Sequence, residues 1–210
     1  MKLPVISFAI VSSAALVFGA GCLNIGEGDV QPTLYYNLEP VEVPPVTLSS
    51  EMEHMIVGLD RIDVPDYLNR REIVVRTGRN EMRYTERHLW AERPSDSLQR
   101  LLALNIERQS SRPVEIHALP WPDHSSPNWV VYLDVLSFEG QESPETALLL
   151  EVSWTIQSTE DGSILKQGNY RGEYLSWSAG NYASLAGGLS KGLADLGRLI
   201  AKDLEEINDG

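Results

Sequence analysis

The feature that most constrains this chain is where its only cysteine falls. The sequence opens Met1-Lys2, runs without charge from Leu3 to Phe18, passes Gly19-Ala20-Gly21 and reaches Cys22. A positive start, an apolar stretch and a small-residue exit describe a secretory signal peptide, residues 1–21. With one cysteine there is no intramolecular disulfide and no multi-thiolate zinc cluster, so a core must hold the fold. The position also suits a bacterial lipid cysteine, whose thiol takes a diacylglyceryl group before cleavage frees its amine. Gly19 stands at −3, where Leu is usual. Two other readings stay open: an uncleaved membrane anchor, because the apolar run approaches bilayer length, and a plain secretory signal cut after Gly21. Lipidation is favoured because the sole cysteine occupies the one place it requires. An acylated Cys22 also excludes thiol catalysis. Leu23 replaces the Asp that favours inner-membrane retention, which points to the outer membrane.

The rest of the chain is long enough for one domain, and 42% hydrophobic content favours a packed core over disorder. The formal net charge of −13 repels phosphate backbones and speaks against nucleic acid as a partner. It also repels anionic headgroups, so membrane attachment is expected through the lipid and not through a basic patch.

Residues 22–32 are polar and glycine-containing and read as a lipidated flexible tether, leaving 33–210 as a single domain. Leu34–Leu38 is β-prone. Strands are expected over Ile56–Val64, Glu72–Thr77, Arg83–Thr85, Val114–His117 and Trp129–Phe138. In Thr146–Ser158 the residues Leu148, Leu150, Val152, Trp154 and Ile156 alternate with a mostly polar set, the signature of a half-buried strand. Glu160-Asp161-Gly162 is a hairpin turn, with the partner strand over Ile164–Leu175.

Two helices are expected. One starts near Ser95, a candidate N-cap, with Leu98, Leu101, Leu102 and Ile106 on one face. The other spans about Asn181 to Ile207, with Tyr182, Leu185, Leu189, Leu193, Leu196, Ile200, Leu204 and Ile207 as its apolar stripe. Asp203, Glu205 and Glu206 fall on its solvated side, and Ser178 is a candidate cap. The fold class is α+β: an antiparallel-rich mixed sheet with two helices packed on one face.

No catalytic constellation emerges. The four histidines, His54, His88, His117 and His124, are not spaced as a metal pair on a helix. Asp123-His124-Ser125 are sequence neighbours, whereas triad members converge from separate segments. Ser178 lacks the first glycine of a nucleophile elbow. Gly188 and Gly192 form a GxxxG, read as close packing on the domain's own sheet or as a subunit contact. No metal or cofactor is expected, and the chain reads as no enzyme.

Several segments resemble the ABC-type transport auxiliary lipoproteins, the family of the paraquat-inducible lipoproteins. They are Tyr35-Tyr36-Asn37-Leu38, Val64-Pro65-Asp66-Tyr67-Leu68 followed by Ile73-Val74-Val75-Arg76, and His88-Leu89-Trp90-Ala91-Glu92 running into Leu98-Gln99-Arg100-Leu101-Leu102-Ala103-Leu104-Asn105. The helix from Tyr182 completes the set, which covers most of residues 33–207. The resemblance implies a non-enzymatic periplasmic docking component of an MCE-type lipid transport system. It would be lipid-anchored at the outer membrane and meet an MCE-domain protein with its permease, with a homo-oligomer among the implied assemblies. A periplasmic lipid carrier and a regulator of cell-wall enzymes are the rival readings. Pro65, Tyr67, Leu68 and Trp90 are the candidate partner contacts, against the plainer reading that Tyr67, Leu68 and Trp90 belong to the core.

Overall fold

A computed structural model describes residues 31–42, 44, 54–121, 126–143, 145, 147–172 and 177–209. The signal peptide, Cys22, nearly all of the tether and Asp123-His124-Ser125 lie outside the described residues. The account below concerns the unit Pro32–Gly210.

Strand β1 is Leu34–Tyr36, β2 Met55–Leu59, β3 Glu72–Gly78 and β4 Glu81–Trp90; helix α1 is Pro94–Gln109. Then come β5 Val114–Ala118, β6 Trp129–Gln141, β7 Ala147–Ser158, β8 Ile164–Arg171 and helix α2 Tyr182–Asn208. The strands form one mixed sheet, consistent with the α+β expectation. β6 is its spine. One side of β6 pairs along its length with antiparallel β7, which pairs with β8. The other side pairs in parallel with β2 at one end and with β3 at the other. β4 lies antiparallel to β3, and β1 and β5 are parallel edge strands on β4 and β2.

The alternation in β7 sets the inner face. Leu148, Leu150, Val152, Trp154 and Ile156 are all buried, opposite Val131, Leu133, Val135 and Phe138 of β6. The helical stripes meet them: Leu98, Leu101, Leu102 and Ile106 from α1, and Leu185, Leu189, Leu193, Leu196, Ile200 and Leu204 from α2. Glycine sets the spacing of these layers. A Cβ on Gly197 would fall 2.7 Å from the Asn105 Cβ of α1, and one on Gly188 would fall 2.6 Å from Leu148 Cδ1 of β7. These glycines of α2 therefore serve packing within the domain.

Some boundaries differ from the sequence expectation. β2 stops at Leu59; beyond it Asp60 N donates to Val131 O of β6, and Asp63 forms an isolated bridge with Asp134. The expected three-residue strand at Arg83 extends over ten residues of β4. Its alternation is masked by exposed Arg83, Tyr84, Glu86 and Arg87, and the strand persists because β3 and β1 pair with it on both sides. Helix α1 starts one residue before Ser95 and has no side-chain cap; Pro94 supplies the preset φ of a first turn, and Asn69 Oδ1 accepts from Ser95 N. Helix α2 is capped by Asn181, whose Oδ1 accepts from Ser184 N at 3.0 Å, and not by the Ser178 side chain. Asp203 and Glu205 are not free in solvent: Asp203 Oδ2 accepts from Trp154 Nε1, and Glu205 Oε1 accepts from Ser111 N.

Candidate functional site

The sheet's second face carries no helix, and the segment 64–71 crosses part of it. Pro65 O accepts from Leu68 N and Asn69 N, so the proline begins a tight turn. Alternation splits the residues beneath. Ile73 and Val75 of β3 point into the core, while Val74 and Arg76 lie on the outer face with Tyr84 and Met82 of β4. Glu139 of β6 falls on the same side, in register with Leu149 and against the inward residues Phe138 and Gly140.

Glu139 is the anomaly of this face. Its side chain has 0% exposure, and both Nε and one terminal nitrogen of Arg76 donate to its Oε1, at 3.2 and 2.6 Å. Its Oε2 accepts from Phe138 N at 2.8 Å. The carboxylate thus has a charged partner and a backbone donor, which a buried charge requires. Tyr67 sits beside the pair. Burial pushes its phenol above the usual value and Glu139 adds to this, while the Arg76 guanidinium pulls the other way.

Further along the same face Arg70 lies over the Tyr84 ring, 4.0 Å from its centroid, and pairs with Glu72 at 2.9 Å. Arg71 lies 5.5 Å from the centroid of Tyr35 and donates to the carbonyls of Trp90 and Ala91. Three consecutive tyrosine–arginine contacts therefore line the face around the 64–71 segment.

The candidate contacts separate here. Leu68 is 1% exposed and Trp90 4%, and Trp90 packs against Phe138 at a ring distance of 5.5 Å. Both are core residues, so they are not available to a partner in this structure. Pro65 and Tyr67 are half-buried and Asp66 is exposed. Sequence reasoning missed Arg76 and Glu139 as a pair. They lie 63 positions apart, and no local spacing links them.

On the helix side of β4 a second aromatic group gathers. Tyr36 donates to or accepts from His88 Nδ1 at 2.8 Å, and His88 stacks on Tyr182 at 4.1 Å. Burial, with Arg87 nearby, pushes the His88 imidazole below its ordinary value. His117 instead contacts Glu115 at 2.7 Å. Among the described residues no cluster of three or more His, Cys, Asp or Glu is placed to hold a metal. Two pockets of several hundred cubic ångströms are open grooves. One, about 400 Å³, is lined mainly by polar groups including Arg61, Asn69, Ser95 and Gln99; the other, about 350 Å³, lies between Leu165, Lys166, Glu206 and Ile207.

The α+β arrangement packs sheet against helices and carries a polar constellation on the sheet face that no helix covers. The chain belongs to the ABC-type transport auxiliary lipoprotein family: the model described as the ABC-type transport auxiliary lipoprotein component matches residues 36–201. No curated protein matches it. Among solved structures it is similar to protein XCC0632 from Xanthomonas campestris, at 13% identity over 84% of this chain and 100% of that one, with a TM-score of 0.66. It is also similar to an uncharacterized protein at 19% identity, over 83% of this chain and 99% of that one, with a TM-score of 0.64. These identities show a shared fold. Family membership gives the coarse function, an auxiliary lipoprotein of an ABC-type transporter, and an envelope location at a membrane.

Proposed function

We propose that this chain is the non-enzymatic docking component of an MCE-type, ABC-linked lipid transport system, held at the periplasmic face of the outer membrane by lipid on Cys22. The observation that carries the reading is Tyr67, a half-buried tyrosine placed over the Arg76–Glu139 pair on the sheet face that no helix covers. Tyrosine beside arginine is the composition of an interface centre. With Leu68 and Trp90 in the core, the contact reduces to Pro65, Asp66 and Tyr67. The edge strands β1, β5 and β8 supply pairing surface for a homo-oligomer.

The lipid-carrier alternative has less support. A carrier needs an enclosed apolar volume of roughly 300–1,000 Å³. Between sheet and helices that space is occupied by fully buried Leu101, Leu102, Ile106, Leu148, Ile156 and Leu189.

The test is photo-crosslinking in intact envelopes from Asp66, with and without Tyr67→Ala. A crosslink to an MCE-domain protein, lost in Tyr67→Ala while the melting temperature stays near wild type, is the expected result. Capture of a cell-wall synthase would favour the regulator reading. A crosslink that survives Tyr67→Ala in a normally melting protein would remove Tyr67 from the contact.

A further inference from the structure

The tether enters the domain at a corner with its own surface chemistry. Leu34 and Tyr35, the first two residues of β1, are 47% and 58% exposed, the latter the most exposed large hydrophobic side chain among the described residues. β1 is an edge strand, parallel to β4, with Leu34 opposite His88 and Tyr35 opposite Leu89. The chain preceding Leu34 therefore leaves beside Arg87. Arg87 is exposed and, like Arg71, has no carboxylate within salt-bridge distance among the described residues. Arg71 is held by the Trp90 and Ala91 carbonyls and lies against the Tyr35 ring.

We infer that Leu34, Tyr35, Arg71 and Arg87 form a second membrane contact, which seats this corner on the phospholipid headgroups next to the anchor and so fixes the orientation of the domain. The inference rests on the reading of Cys22 as lipidated.

Three observations choose a lipid surface as the occupant. The first is chain length. Eleven residues separate Cys22 from Leu34. They reach at most roughly 35–40 Å whatever conformation they take. This corner is therefore the part of the domain that the chain itself holds within that distance of an anchor on Cys22. The second is side-chain type. A tyrosine and a leucine with adjacent arginines have the apolar body and polar tip that settle at the headgroup level. The third is unspent charge. Arg70, Arg76, Arg83 and Arg100 are each paired with a carboxylate, whereas Arg71 and Arg87 at this corner have none within salt-bridge distance among the described residues. Screening confines a headgroup's view to about 8–10 Å, so two arginines without a carboxylate partner weigh more there than the chain's net −13.

The experiment uses the full-length lipidated protein. Because acylation consumes Cys22, an introduced cysteine is the only free thiol. Tyr35→Cys, and separately Leu34→Cys, would carry a fluorophore in vesicles of phosphatidylethanolamine, phosphatidylglycerol and a brominated lipid. Glu160→Cys, in the β7–β8 turn across the sheet, is the reference position. The expected result is several-fold more quenching at 35 and 34 than at 160, falling toward the reference when Arg71→Gln and Arg87→Gln are added or when salt is raised. Protein that stays with the vesicles but is quenched equally at 35, 34 and 160 overturns the inference while the anchor stands. Protein that separates from the vesicles, with an unmodified Cys22 by mass spectrometry, overturns the anchor and the inference with it.

Discussion

The two faces of the sheet are built on different principles. The inner face is apolar and close-packed, and its tightest contacts involve missing side chains. Trp154 covers Gly168 so closely that a Cβ there would lie 2.1 Å from the indole, and Trp177 covers Gly140 with a corresponding 2.5 Å. The outer face is polar and partly open. Its order comes from charge and from arginine lying on tyrosine. The difference separates a face closed by packing from one ordered by charge and aromatic contacts. The Arg76–Glu139 pair is where the two meet, because it sits on the outer face and is nonetheless buried.

Substitutions can break this comparison or sharpen it. The largest effect belongs to the inner face. Leu189→Ala removes a fully buried side chain between α2 and the sheet and should cost about 3 kcal/mol, read by chemical denaturation. If Tyr84→Ala on the outer face costs as much, the two faces do not differ in the way described.

Next comes Arg76→Met, which strands a carboxylate of 0% exposure. Losing one partner of a fully buried pair costs roughly 3–5 kcal/mol. Arg76 is itself 21% exposed, so water softens the loss, and a value of about 2 kcal/mol is expected. Adding Glu139→Leu should recover most of it. A double variant no more stable than the single one would mean that the pair positions Tyr67 or the strand in some way beyond neutralising charge.

A smaller effect is expected where the core touches a charge. Asp203→Ala leaves the indole over Gly168 but removes the acceptor of Trp154 Nε1, at a cost of about 1 kcal/mol read by chemical denaturation. Lys166, 3.7 Å from Asp203, keeps Glu206 as its partner.

The smallest is a pH effect. Burial lowers the affinity of folded His88 for a proton, so the unfolded chain takes one up first as pH falls. Its contribution to stability is complete above the ordinary histidine value and declines as pH drops through that value and then through the folded one. Melting temperature recorded from about pH 7.5 down to about pH 5 should therefore slope less in His88→Phe than in wild type. An unchanged slope would show that other groups carry the acid sensitivity.

How much of this was legible in the sequence follows the same division. The inner face announces itself by period. Leu148 to Ile156 alternate and the leucines of α2 recur every three or four residues, because burial on one side imposes that spacing. β4 was largely illegible because pairing with β3, and with β1 at its far end, supports it more than an apolar face does. The cap of α2 was misread by three residues, since Ser178 and Asn181 are equally good acceptors and only geometry chooses between them. On the outer face the motif Val64–Leu68 was found, but the sequence left its side chains open between a partner and the core. Burial places Leu68 and Trp90 in the core, as the plainer reading had it. Arg76 and Glu139 escaped notice because a salt bridge between strands leaves no periodic trace.

The placement of β1 has a mechanical consequence. Any pull on the chain that precedes β1 enters the domain at Leu34, and β1 is only three residues long. Its attachment continues past the strand. Tyr36 O accepts from Ala91 N, Leu38 is in the core, and Glu39 N donates to Ser190 Oγ of α2. Tension drawn along β1 is thus shared at once among a strand, a hydrophobic side chain and a helix, a joint loaded in shear. The same force applied sideways would peel those fastenings one after another. The domain should therefore tolerate strain along the line of its leash far better than across it.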